Sequence, residues 1–495
     1  MPAPSLIPFT PELRPSLPPT HACKDYADWR QQLERIDSML PELEAGLVAD
    51  IISNWLKTHP KSSVRQQQNF ERHALRAIRC ELLRTLAQLD YRQMSVQLAD
   101  SRLFQWFCRL EEVDGIQAPS KSTLQRYTEF IAESQLTSRI QEWLARLTHS
   151  STVVITREAL DFDTVFIDTT CLKTRIHFPV DWVLLRDGVR TLTKAILVIR
   201  DHGLKHRMPA PESFLREINR LSIQMTQARR TSDAKKNRKR ALRAMKRQVQ
   251  AVEEHAKRYR DLLTAHWKEE TDLSEKEMQQ IVGRIQGILD QLPQAVKQAH
   301  ERIIGERQVD NADKILSLYE TDTQVLVRGK AGAEVEFGNK LLLSETVQGL
   351  IVDWELFQDS VPADSQLLQA SLHRTEKKLK VKIGKAVTDR GFDSQDNRQF
   401  LDREEIFNGM CPRGPSHLKK RMEEKEFAAL QKRRSQTEAR IGIFKNVFLG
   451  RPLRAKGFEN RQRAVAWAVL THNLWGVGSD GMERGAQASS VGKCS

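Results

Sequence analysis

Three carboxylates stand where they could do chemistry. Asp168 follows the apolar run TVFI, Asp389 follows KAVT, and Glu438 lies in the basic stretch QKRRSQTEARIGIFKN. An unpaired carboxylate is costly to bury, so an acid at the end of a buried strand calls for a neutralising cation. Oxygens from two neighbouring strands and one helix make a hard site for Mg2+ or Mn2+. Two such ions about 4 Å apart can activate an attacking oxygen and stabilise a leaving one at phosphorus. Each acid also has a plainer reading. Asp168 can cap a turn at Thr169–Thr170, Asp389 can pair with Arg390, and Glu438 can form a surface ion pair with Arg434, worth roughly 0.3 kcal/mol. Taken together, in this order and setting, the three acids favour the metal reading. Arg434 lies four residues before Glu438 and Lys445 seven after it. Those spacings share one helical face and suit cations held beside DNA phosphates.

These acids need elements to position them. The stretch DTVFIDTTCLKTRIHFPVD is rich in β-branched and aromatic residues and predicts a strand, a turn and a second strand. An amphipathic helix through Trp182, Leu185, Val189, Leu192 and Ile196 follows. Strand character returns in TQVLVRGK, AEVEFGNKLLLSE and VQGLIVDWELFQ. Beyond them come a helix capped by Asp364, a short strand ending at Asp389, a helix, another short strand, a long helical stretch over 417–447 and a final amphipathic helix. The fold class is therefore α/β, with helices on the faces of a buried sheet.

Residues 204–308 interrupt that pattern. Leu242, Met245, Val249, Val252, Ala256, Tyr259 and Leu263 alternate spacings of three and four, a coiled-coil seam. Ser274 and Glu277 form a capping-box pattern that restarts a helix, giving an antiparallel hairpin. Residues 229–247 hold ten Lys or Arg and one acid, readable as a phosphate-binding stripe or as a solvated coiled-coil face. Upstream, residues 25–150 are helical in pattern. Gln125 and Arg126 stand exposed on a polar helix that Ser120 or Ser122 could cap, which suits a helix-turn-helix-like module or an ordinary helical bundle. Residues 1–24 read as a proline-rich flexible arm and 477–495 as a loose tail.

The chain has 495 residues, with 78 Lys and Arg against 64 Asp and Glu, a net charge of +14. That excess points to a polyanionic partner, most often nucleic acid. No apolar run approaches the roughly 20 residues of a membrane span, and the start has no apolar core of a signal peptide. The six scattered cysteines form no CxxC pair, which predicts free thiols in a reducing cytoplasm. Motifs for a nucleotide cradle (GxGxxG, GxxxxGK[ST]) or a serine-hydrolase elbow (GxSxG) are absent.

Together, IDTTCLKTRIHFPVDWVLLRDGVRTL, TDRGFDS and RRSQTEARIGIFKN resemble a DDE-type insertion-sequence transposase, of the ISNCY-type group and its relatives. The likeness covers about residues 80–476. It implies an RNase H-like mixed sheet flanked by helices in two segments, 151–203 and 309–476. A helical, coiled-coil-like insertion over 204–308 would interrupt the sheet, and an all-α DNA-binding domain over 25–150 would precede it. It also implies metal-dependent cleavage at transposon ends and transfer of 3′-hydroxyl ends into target DNA. Asp168, Asp389 and Glu438 would be the catalytic and metal-binding triad, holding two Mg2+ (or Mn2+) ions. Arg434, Glu438 and Lys445 fit a related group's signature, in which Gln431 stands at the tyrosine position. Arg434, Lys445 and Arg390 would hold DNA phosphates, with Lys330 and Lys340 as further candidates and Gln125 and Arg126 in the end-binding domain. The expected partners are the terminal inverted repeats, target DNA and a second copy of the chain, with no membrane, in the bacterial cytoplasm at the nucleoid. Two alternatives remain at this level: a catalytically silent DNA-binding derivative, and a nuclease of the same fold that cuts without joining.

Overall fold

The computed structural model describes residues 17, 23–112, 115–149, 160–228, 233–330, 333–359, 361–450 and 453–478. The proline-rich arm lies outside these residues apart from Leu17, Cys23 and Lys24. So does the expected tail beyond Gly478.

A mixed sheet lies at the centre, built on strand β3 (Thr164–Lys173). Val165, Phe166, Ile167, Cys171 and Leu172 are all buried. A strand covered on both faces carries such a near-continuous apolar run. The expected strand–turn–strand is instead one unbroken ten-residue strand. Thr169 and Thr170 continue the antiparallel ladder opposite Leu342 and Leu341, because β-branched threonines suit a strand and the long facing strand gives them partners. Asp168 thus sits mid-strand, with no turn to cap.

That facing strand is β5 (Ala333–Thr346), which pairs along its other edge with β4 (Gln324–Lys330) and β6 (Ile351–Leu356), both antiparallel. At Gly338 the backbones of β5 and β3 approach so closely that a Cβ would stand 2.1 Å from the Leu172 carbonyl oxygen. On its far side β3 runs parallel to β7 (Lys385–Thr388), and β7 parallel to β8 (Phe407–Met410). The order β6–β5–β3–β7–β8, antiparallel then parallel, is compatible with an RNase H-like domain.

Helices cover the sheet. α12 (Leu368–Leu379) and α16 (Phe458–Gly478) pack on β6, while α15 (Lys425–Ile443) packs across β3, β7 and β8. α13 (Gln395–Arg403) and α14 (Pro415–Arg421) complete this half. The helical stretch expected over 417–447 consists of α14, a break, α15 and a π-helical turn at Phe444–Phe448.

Before the sheet come α1 (Lys24–Met39), α2 (Pro41–Thr58), α3 (Val64–Leu86), α4 (Tyr91–Asp100), α5 (Arg102–Cys108), α6 (Lys121–Tyr127) and α7 (Glu133–His149), with a short ribbon of β1 (Glu111–Glu112) and β2 (Gly115–Ile116) between α5 and α6. Helices α1, α3 and α7 pack on α16, and their apolar residues join the core of the sheet. Buried Arg79 is fully partnered, by Glu44 and Asp37 at 2.6 Å each and by the Phe107 carbonyl at 2.8 Å, as a buried charge requires.

Between β3 and β4 the chain runs through α8 (Asp181–Asp201), α9 (Pro211–Gln227), α10 (Ala234–Glu270) and α11 (Glu275–Ile303). These four helices have a core of their own. The seam from Leu242 to Leu263 is buried, and the Ser274–Glu277 capping box starts α11. Helix α8, grouped with the sheet by sequence order, packs its Trp182–Ile199 stripe into this second core because α10 and α11 offer it an apolar face. Among the described residues no helix is long and apolar enough to cross a membrane, and the five described cysteines are free thiols.

Candidate active site

The parallel ladder between β3 and β7 ends at the pair Ile167–Thr388. The next residue on each strand is an aspartate, so Asp168 and Asp389 stand level on neighbouring chains, whose spacing is about 4.8 Å. Asp168 accepts the Thr169 N–H at 2.7 Å. Its carboxyl is pushed up to about 7, first by burial and next by Asp389, with Glu438 adding a smaller push. The Thr169 N–H and Arg434 act in the opposite direction. Two carboxylates forced together in a dry site repel one another, and a cation between them reverses that sign.

Asp389 is set by the turn after β7, where its Oδ1 accepts the Gly391 N–H at 2.8 Å. No ion pair joins it to Arg390, which is exposed. A Cβ at Gly391 would stand 2.8 Å from Asp364 Oδ2 and 3.0 Å from Asp389 Oδ1. The glycine therefore leaves a cradle between two acids. Asp364, which the sequence pattern places as a helix cap and not in the site, accepts the Thr169 hydroxyl at 2.8 Å and pairs with Lys340 at 2.5 Å. Only the crossing of β3, β5 and the segment after β6 brings these residues together, and no local pattern announces it.

Helix α15 is fastened over the even-numbered face of β3. Buried Glu345, on β5, accepts from Thr437 at 2.8 Å and from Arg433 at 3.2 Å. Arg433 also donates to the Val347 carbonyl and lies over the Phe166 ring at 4.6 Å. The next residue, Arg434, acts on Asp168 through its charge, and its buried Nη1 stands 3.5 Å from Glu438 Oε1. Lys445, on the π-helical turn, donates to Thr170 Oγ1 at 3.0 Å, two residues along the same face from Asp168. Glu438 differs. Its side chain is 67% exposed and stands 3.5 Å from Arg434, the plain surface pair that the spacing also allowed.

The remaining candidates are dispersed. Lys340 is buried, held by Asp364 and by the Pro362 carbonyl at 2.6 Å. Lys330 ends β4, and its side chain lies outside the described residues. Gln125 and Arg126 are exposed on α6, which packs on α3 and α4. Among the described residues no group of three or more His, Cys, Asp or Glu could hold a metal ion. Asp168 and Asp389 nonetheless fit a hard divalent cation as donors: both are carboxylates, they are adjacent, and the cradle at Gly391 adjoins them.

Residues 329–474 match the family model described as Transposase DDE domain. The matched stretch holds Asp389, Glu438, Arg434 and Lys445, while Asp168 precedes it. No curated protein and no solved structure matches the chain.

Proposed function

Since the chain carries a DDE-type transposase domain, we propose that it is a DNA transposase that cleaves at transposon ends and joins the 3′ ends to target DNA. The observation that carries this reading is the level placement of Asp168 and Asp389 past the end of a parallel ladder, beside a domain of that family. Transposases of this family generally use divalent metal ions, which would activate the attacking oxygen and stabilise the leaving one. Asp168 and Asp389 would hold the metal. The guanidinium of Arg434, once Glu438 turns away, and the ammonium of Lys445 would take phosphate oxygens, and Thr170 would aim that ammonium. Glu438, exposed and paired with Arg434, would join the acids by turning from it. Residues 25–150 would bind the element's ends, 204–308 would be an insertion, and two copies would bring two ends together.

The exposed position of Glu438 also favours a second reading, a silent DNA-binding derivative. One assay separates them: cleavage and joining of DNA bearing the element's ends, with Mg2+ or Mn2+. Asp168→Ala, Asp389→Ala and Glu438→Ala are each expected to abolish cutting while binding is retained. Wild-type binding with no cutting in either metal would establish the silent reading. Cutting without joined product would establish a nuclease.

A further inference from the structure

A second cleft, of about 450 Å3, opens where the continuation of β3 meets the helical bundle. Its walls are the segment after Lys173, one face of α8, and residues 316–320, with Lys456 at one end. Arg175, Arg190, Lys194 and Lys456 line it and are exposed. Its acids are already partnered: Asp187 by Arg186 at 2.9 Å, and Glu320 by Arg461 and the Gly457 N–H. The four cations therefore set its charge.

Two aromatic rings face solvent in the same cleft. Phe178 is 76% exposed and Tyr319 58%. Tyr319 is fixed by the Thr191 hydroxyl at 2.6 Å, and Phe178 meets the ring of Phe337 edge-on, at 5.7 Å. Rings with open faces, among cations that pair with no acid of the described residues, have the chemistry of a groove for unpaired nucleotides, where phosphates take the cations and bases stack on the rings. A duplex would need the cations alone. Arg175 lies seven residues beyond Asp168 on the same run of chain, at most about 23 Å away at strand rise. Lys456 also lines a larger cavity of about 690 Å3 with Arg84, Arg454 and Arg463.

We propose that this cleft binds an unpaired DNA strand, with a base stacked on Phe178 or Tyr319 and phosphates on Arg175, Arg190, Lys194 and Lys456. The choice of DNA rests on the transposase reading; the binding itself needs no catalysis. The test is fluorescence anisotropy in EDTA with a single-stranded oligonucleotide and with the matching duplex, using the full chain. Phe178→Ala is expected to weaken single-strand binding roughly fivefold or more, the loss of one base–aromatic stack, and to leave duplex binding unchanged. Phe178→Trp should retain it. Arg190→Ala with Lys194→Ala should weaken single-strand binding and lower its salt dependence. If neither the ring nor the charge variants change single-strand affinity, the proposal fails. If charge removal weakens both ligands equally and ring removal neither, the cleft is a duplex phosphate surface and the proposal fails in that form. An enzyme that never cuts DNA yet shows the Phe178 effect would remove the transposase reading and leave this one standing.

Discussion

At the scale of single residues the site is held in tension. Asp168 and Asp389 are level on adjacent strands, and the desolvated Asp168 carboxyl is pushed toward neutrality by its neighbour. Such a pair favours a bound cation over the folded chain's own stability, a trade common at active sites. Asp168→Asn removes the repulsion and keeps the shape. We expect this variant to lose cleavage yet to melt a few degrees higher than wild type in EDTA, as read by differential scanning fluorimetry. Divalent metal should raise the wild-type melting temperature and leave the variant's unchanged. A variant that melts lower would mean that Asp168 is structural. Both aspartates could be picked out from sequence because acids are rare at the ends of apolar runs. Asp364 could not, since its neighbours Thr169, Lys340 and Gly391 are scattered along the chain.

At the scale of elements, helix α15 depends on Glu345. Arg433, Arg440 and Thr437 converge on this buried carboxylate and on the carbonyls of the turn after β5. Breaking a buried pair leaves an uncompensated charge, at about 3 kcal/mol. With Arg440 and Thr437 still facing Glu345, Arg433→Met is expected to lower unfolding free energy by about 1.5 kcal/mol in urea titrations, and to reduce cleavage further by loosening Arg434 and Lys445. An unchanged urea midpoint would show that α15 is held some other way. Helix α16 carries a second dependence. His472 is buried edge-on to Phe444 and Phe448, and its pKa is held down to about 4, chiefly by burial. The unfolded chain takes up a proton near 6.5 and the folded chain does not. Stability is therefore full above that pH and falls as pH drops toward 4, by about 2 kcal/mol between pH 7 and pH 5. His472→Leu should flatten this limb of the urea stability–pH curve; an equally steep limb would assign the acid sensitivity elsewhere.

At the scale of the whole molecule, the two helical regions stand in different relations to the sheet. The four inserted helices have their own core, whereas α1–α7 share one with α16 and the sheet. We expect replacement of residues 181–308 by a short linker to leave a folded remainder, judged by a cooperative melt. A chain beginning at residue 160 should aggregate, because α16 would expose the face that α1, α3 and α7 cover. A monodisperse, cooperatively melting fragment from residue 160 would contradict this.

Local residues alone specify the alternation of helix and strand, the coiled-coil seam from Leu242 to Leu263, the capping box at Ser274 and the two aspartates worth watching. Each is encoded within a few residues, by apolar period or by a cap. The rest was set by packing between distant segments. Whether Thr169–Thr170 turned or continued depended on the length of β5, a strand some 170 residues away. Whether Glu438 lay buried beside Asp168 or exposed against Arg434 depended on how the Glu345 contacts seat α15 on the sheet. Whether the N-terminal helices stood apart depended on α16, the last described helix. Register, helix rotation and shared core are set by contacts between distant segments, and no local pattern of residues specifies them.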